Sequence, residues 1–189
     1  MILPIVAYGD PVLRKKGEDI TADYPDLQQL IDDMFETMYN ASGVGLAAPQ
    51  IGRSIRLFVI DTTSFVEENE EDEEGLKDFK EVFINARILE EEGKEWAFNE
   101  GCLSIPDIRE DVSRQEEIRI EYYDRDFNRK EAVFSGLKAR VIQHEYDHIE
   151  GILFTDHLSP LRKRMIKGRL SNISKGKLNV AYKMRFPKI

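Results

Sequence analysis

The chain has 189 residues, 41% hydrophobic and 33% charged, which suits one domain with a sizeable core and excludes a disordered or fibrous protein. No apolar run approaches the roughly 18 residues of a membrane span. A single cysteine, Cys102, excludes an internal disulfide framework and fits a reducing cytoplasm. The net charge of −9 hides an asymmetry, because no acidic residue follows Asp156 while ten basic ones run from Arg162 to Lys188. An acidic body with a basic tail suits docking on an anionic partner; a solvated helix with a frayed end would give the same pattern.

The opening apolar run through Tyr8 carries Pro4 and no basic flank, so it reads as a buried segment rather than a signal peptide. Leu27, Leu30, Ile31, Met34, Phe35 and Met38 recur at helical spacing and predict an amphipathic helix over 25–41, stopped at Gly43. Strand-like runs follow at 55–60, 82–84, 87–89, 118–123 and 131–134. Their polar interruptions and short connections predict antiparallel pairing. Residues 67–81 hold nine acids in fifteen positions and read as a solvated, mobile loop. A second helix over 137–150 follows Gly136, and Pro160 suits the first turn of a third over 161–170. The closing 178–186 alternates weakly, as a terminal edge strand would. The expected fold is α+β, with antiparallel strands packed around a central helix. Residues 1–160 form its main domain, and 161–189 are a basic helix and tail of the same domain.

His144-Glu145-Tyr146-Asp147-His148 lies on that central helix. Two imidazoles four residues apart share a face and can reach one ion, while Glu145 beside the first can reach water there without ligating. That is the equipment of metal-assisted hydrolysis: a cation lowers the pKa of water and a base takes its proton. Two unrelated surface histidines are the bland alternative, and having two of only three histidines so placed weighs against it. Catalytic sites of this kind usually have three protein ligands. No Asp or Glu beyond Asp156 exists to supply a downstream carboxylate. In the longer pattern H-E-x-x-H-x-x-G-x-x-H, Gly151 matches but Phe154 occupies the final histidine position. His157 stays open. Cys102 is the strongest upstream candidate, giving a thiolate and two imidazoles for Fe(II) or Zn(II) with a fourth position open to water.

Three segments then carry a family resemblance. Gly43-Val44-Gly45-Leu46-Ala47-Ala48-Pro49-Gln50, Glu100-Gly101-Cys102-Leu103-Ser104 and Gln143-His144-Glu145-Tyr146-Asp147-His148 resemble, in order, the signature segments of peptide deformylase. The resemblance implies Cys102, His144 and His148 as ligands of one divalent metal, Fe(II) favoured and Zn(II) second, and Glu145 as general base and acid. It implies hydrolytic removal of formyl from the N-terminal methionine of new polypeptides, with Gln50 and the Leu103 N–H stabilising the oxyanion. Glu100 and Arg114 resemble a pair near the cysteine ligand, where an arginine would favour the thiolate. Gly43, Val44 and Gly45 suit an edge that pairs with an extended peptide, with Gly101 and Arg109 at the cleft. Leu137, Arg140 and Val141 fall on or near the His144 face and would line the methionine pocket. That turn is largely apolar in the family, so Arg140 is expected to snorkel to the rim and make the pocket mouth more polar. The basic tail becomes a candidate ribosome-docking helix, separable from peptide turnover by truncation after Asp156 provided the domain stays folded. A general metallopeptidase and a non-catalytic metal-binding, ribosome-associated protein are the competing readings; Glu145 beside an open coordination position weighs against the second.

Overall fold

The computed structural model describes residues 1–67 and 71–188. Along the chain these form β1 (Ile5–Val6), α1 (Leu27–Asn40), β2 (Gly45–Ala47), β3 (Leu57–Asp61), β4 (Lys80–Cys102), β5 (Ile105–Tyr123) and β6 (Arg129–Ser135). Then come α2 (Gly136–Ile149), α3 (Pro160–Ser174) and β7 (Met184–Arg185). Strands β2 to β6 make one antiparallel sheet in sequence order. Its alternation decides what each face carries. In β3, Leu57 and Val59 pack with Ile31 and Met34 of α1, while Phe58 and Ile60 pack with Ala139 and Ile142 of α2. The sheet is the layer between the two helices.

The expected α+β class and the expected helices are found, and several strands are longer than the sequence suggests. Runs 82–84 and 87–89 belong to one strand, β4, interrupted by a bulge. Asn85 there adopts φ 53° and its side-chain amide bonds both the Ile20 N–H (2.9 Å) and the Ile20 carbonyl (2.8 Å). Pairing slips between Ile84 and Arg87. Ala86 therefore packs with Phe83 on the α2 side, although strict alternation would put it with Ile84. Strand β5 begins at Ile105 rather than near 118. Its buried positions include Glu110 and Arg114, so apolar alternation is broken where the strand is not.

The opening segment is buried only over Ile5, Val6 and Ala7, while Met1 and Ile2 are exposed, so the expected burial holds for part of it. The expected edge strand over 178–186 shrinks to β7, which pairs with β1 in parallel. Helix α3 has Pro160 in its first turn and Ser159 as its cap, accepting from the Arg162 N–H at 3.2 Å. Its Ile166, Leu170 and Ile173 are buried with Ile105, Ile108 and Val112. Truncation after Asp156 would thus remove core side chains, so the tail is not separable as anticipated. The acidic stretch 67–81 lies partly outside the described residues. What is described is not simply solvated: Leu76 is buried, Asp72 accepts from the Leu76 and Lys77 N–H groups, and Glu74 Oε2 accepts from Leu137 N–H at 2.9 Å.

Candidate metal centre

Helix α2 ends in a left-handed glycine cap. Gly151 (φ 75°) donates to His148 O at 3.2 Å, and Ile152 donates to Asp147 O at 2.9 Å. A Cβ on Gly151 would lie 2.6 Å from the Arg14 carbonyl. The glycine that fits the longer zinc pattern is therefore a helix stop. Phe154 is buried, its ring stacked on His144 with centroids 6.1 Å apart. His157, left open by the sequence, pairs with Asp147 Oδ2 at 2.8 Å and is not in the ligand group.

That group is Cys102, His144 and His148. Their ligand atoms lie within 4.8 Å of one another, with Cys102 Sγ 3.4 Å from His148 Nε2. Cys102 arrives from the end of β4, and the histidines from one face of α2. Nδ1 of His144 is 2.9 Å from Glu100 Oε1. An ionised carboxylate only accepts, so Nδ1 carries the proton and Nε2 keeps its lone pair for an ion. Burial pushes His148 down to about 3 and keeps that ring neutral. One sulfur and two imidazole nitrogens suit Fe(II) or Zn(II), so the residues present fit a divalent metal.

Glu100 is the hub beneath the ligands. It accepts from Arg114 Nε (2.8 Å) and Nη2 (3.0 Å), from Arg140 Nη1 (2.8 Å) and from His144. Burial works against its ionisation, but the His144 and Arg114 bonds hold the carboxyl far below its ordinary range. Arg114 also reaches Asp147 Oδ2 at 2.8 Å. The Glu100–Arg114 pair thus sits directly behind His144. Arg140 departs from expectation more sharply. It is only 2% exposed, donates to Val112 O at 2.8 Å and Trp96 O at 2.5 Å, and stacks over the Trp96 ring at 4.5 Å. A desolvated carboxylate and two interior carbonyls offer it more than a solvated rim does. The rim guanidinium is Arg109, exposed and held by Asn99 Oδ1 (2.8 Å) and O (2.7 Å).

Gln50 is 1% exposed. Its Oε1 accepts from the Ala47 N–H at 3.0 Å, which turns Nε2 toward Cys102 Sγ (3.4 Å) and Ser104 Oγ (3.2 Å). Glu145 is buried, and its Oε2 has no hydrogen-bond partner among the described residues. Burial pushes its carboxyl up to about 7. A cation alongside would pull it back down. Gly45 makes room for it: a Cβ there would sit 2.5 Å from Glu145 Oε1.

A cleft of about 900 Å³ opens over these groups. Gly43, Val44, Gly45, Gly101, Leu103, Arg109, Arg140 and Val141 line it; Leu137 is not among the lining residues. The sequence reading missed Phe65, Phe98 and the segment 179–182, which also line it. Phe98 carried a signal, alternating with Trp96 and Glu100 along β4. The C-terminal segment carried none beyond weak alternation.

A buried carboxylate and a side-chain amide beside a sulfur–dinitrogen ligand group, at the floor of a peptide-sized cleft, define a metal-dependent hydrolase. The sequence model of the polypeptide deformylase family matches residues 2–164. Peptide deformylase of Christiangramia forsetii is 63% identical over 99% of this chain and 97% of its own, and that of Salinibacter ruber is 47% identical over 96% and 93%. A crystal structure of a peptide deformylase from Legionella pneumophila superposes with a TM-score of 0.79 at 40% identity, covering 94% of this chain and 98% of its own. Arabidopsis thaliana peptide deformylase 1B, in complex with an inhibitor, gives 0.80 at 35% over 93% and 92%. The chain belongs to the polypeptide deformylase family.

Proposed function

We propose that the protein hydrolyses the formyl amide at the N-terminal formyl-methionine of nascent polypeptides, releasing formate and a free α-amine. The observation that carries this is the convergence of Cys102, His144 and His148 within 4.8 Å, with Glu145 and Gln50 in the same cleft. One divalent ion held by those three residues would supply the positive charge that acidifies water and polarises the formyl oxygen. Glu145, its Oε2 free to accept, takes the proton of the attacking water and returns it to the leaving nitrogen. Gln50 Nε2 and the Leu103 N–H donate to the developing oxyanion; the Gln50 orientation enforced by Ala47 supports this. Glu100, with Arg114 and Arg140 behind it, keeps His144 in its ligating tautomer.

Strand β2 is a sheet edge, so Gly43, Val44 and Gly45 suit an extended peptide added alongside. Val141 offers apolar surface to the methionine side chain, and Gly101 and Arg109 flank the peptide. Fe(II) is the favoured ion on family resemblance, with Zn(II) second. Thiolate-ligated iron is oxygen-sensitive, and a reducing cytoplasm is where it would persist. Residues 161–189 are read as part of the one catalytic domain, and the exposed basic side chains of α3 as a ribosome-docking face.

The test is anaerobic purification, metal analysis and assay of formate release from a formyl-Met peptide. Metal-loaded protein that releases no formate would sink the proposal. Internal fragments from unblocked peptides would point instead to an endopeptidase.

A further inference from the structure

One wall of the cleft comes from the C-terminal segment between α3 and β7, where Val180, Ala181 and Tyr182 face the same space as Cys102 and Glu145. This segment lies beyond residues 2–164, the stretch that the family match spans. It is held at both ends. Upstream, Leu178 packs against the cluster that contains Ile166 and Ile173 of α3. Downstream, β7 is stitched to β1 by bonds from Ile5 N–H to Lys183 O and from Ala7 N–H to Arg185 O, each 2.9 Å. Between these anchors the Tyr182 ring packs against the α1-side core, and its hydroxyl donates to the Leu103 carbonyl at 2.7 Å.

Leu103 and Ser104 form the turn from β4 into β5, immediately after a metal-ligand position. Three distant parts of the chain hold that turn. Tyr182 takes the Leu103 carbonyl, the Tyr8 N–H takes the Ser104 carbonyl at 2.9 Å, and Gln50 Nε2 takes Ser104 Oγ at 3.2 Å. A short turn has few bonds of its own, so its peptide planes are set by such external contacts. Burial, with the charges of Cys102 and Asp107 added, raises the Tyr182 phenol above its ordinary value, which keeps it a protonated donor at working pH.

We propose that Tyr182 is a positioning residue for deformylation: by fixing the Leu103 carbonyl it fixes the turn that presents the Leu103 N–H to the reacting formyl oxygen, while Val180 and Ala181 form a wall for the peptide. This rests on the oxyanion role given to Leu103 above. Removing the hydroxyl loosens the donor without touching a ligand or Glu145. The loss therefore falls on turnover, whereas eroding the wall falls on substrate affinity.

The test is steady-state formate release by the full-length, metal-loaded protein carrying Tyr182→Phe, alongside Tyr122→Phe as a control. Tyr122 is also buried and also bonded, to Glu81 Oε2 at 3.1 Å, but it is not among the residues that line the cleft. Tyr182→Phe is expected to lower kcat about 3–10-fold with KM held within about twofold, as loss of one hydrogen bond that matters in the transition state would. Amide hydrogen exchange at Leu103 and Ser104 should accelerate in the same variant. Val180→Gly with Ala181→Gly should raise KM for longer formyl peptides with kcat kept. An unchanged kcat in Tyr182→Phe at full metal content would overturn the proposal, as would an equal fall in Tyr122→Phe. If the wild type released no formate, the function would fail first, and the exchange rates would still report whether Tyr182 holds the turn.

Discussion

Gly45→Ala perturbs the proposed general base, Glu145, by volume alone. Gly45 lies in β2 with no left-handed torsion, so alanine fits the backbone without strain. Its methyl, however, would sit 2.5 Å from Glu145 Oε1 and 2.8 Å from both Cδ and Cγ, where ordinary contact begins near 3.4 Å. The carboxylate must therefore retreat by about 0.9 Å, the difference between 3.4 and 2.5 Å. A displacement of about 1 Å at a reacting group costs on the order of 10²-fold in rate. The obstacle is the end of a flexible side chain, so global stability should change little. The ligand atoms belong to other residues, so metal content should stay full. The assay is formate release from a formyl-Met peptide, read as kcat and KM, with metal analysis and thermal unfolding on the same preparation. A kcat within threefold of wild type would refute the reasoning that Gly45 exists to seat Glu145. A loss confined to KM would assign Gly45 to substrate pairing alone.

Glu100→Ala should weaken metal retention about 10–100-fold in chelator competition, because His144 loses the acceptor that orients it. Unchanged retention would remove Glu100 from the centre's support. Glu150 is held below its ordinary value, against burial, by its bond from the buried Arg56 at 2.7 Å. Its folded value is depressed, so the stabilisation is complete above the ordinary glutamate value of about 4.3 and is lost as pH falls through the lower folded value. The stability gap between wild type and Glu150→Gln, from unfolding temperatures across pH, should be widest near neutrality and close in acid; a constant gap would contradict this. Charge reversal at Lys163, Arg164 and Lys167, all exposed on α3, should abolish salt-sensitive ribosome co-sedimentation and leave peptide turnover intact. Retained binding would reject the docking face.

The parts of the site legible in sequence were those whose chemistry is local. His144, Glu145 and His148 sit on one helix, where spacing alone fixes a shared face. The third ligand was reachable because downstream carboxylates were absent and only one cysteine exists. What stayed hidden depends on long-range pairing. Arg140 read as a rim residue because helix periodicity gives its angle and not its partners, which come from β4 and β5. The full length of β5 was hidden for a related reason, since Glu110 and Arg114 occupy inward positions of the strand. Their partners, Arg162 and Glu100, lie 52 and 14 residues away, beyond the reach of strand alternation, so nothing local marks them as buried. A buried charge breaks the alternation on which strand reading relies.

The basic tail shows how composition can point to a partner and still miss a structural role. Of its ten cations, Arg162 is committed to Glu110 through bonds of 2.6 to 3.0 Å, Arg169 donates to the Asp107 carbonyl, and Arg185 approaches Asp10 at 3.8 Å. Of the seven cations left, Lys163, Arg164 and Lys167 are exposed on α3 beside the exposed Leu161 and Met165, and four follow the helix. The adjoining face of the helix supplies Ile166, Leu170 and Ile173 to the core that carries β5, and the segment after it lines the cleft. The proposed docking face and the catalytic domain therefore share one element. Deleting it would strip core side chains as well, so only substitutions confined to the exposed residues can test docking by itself.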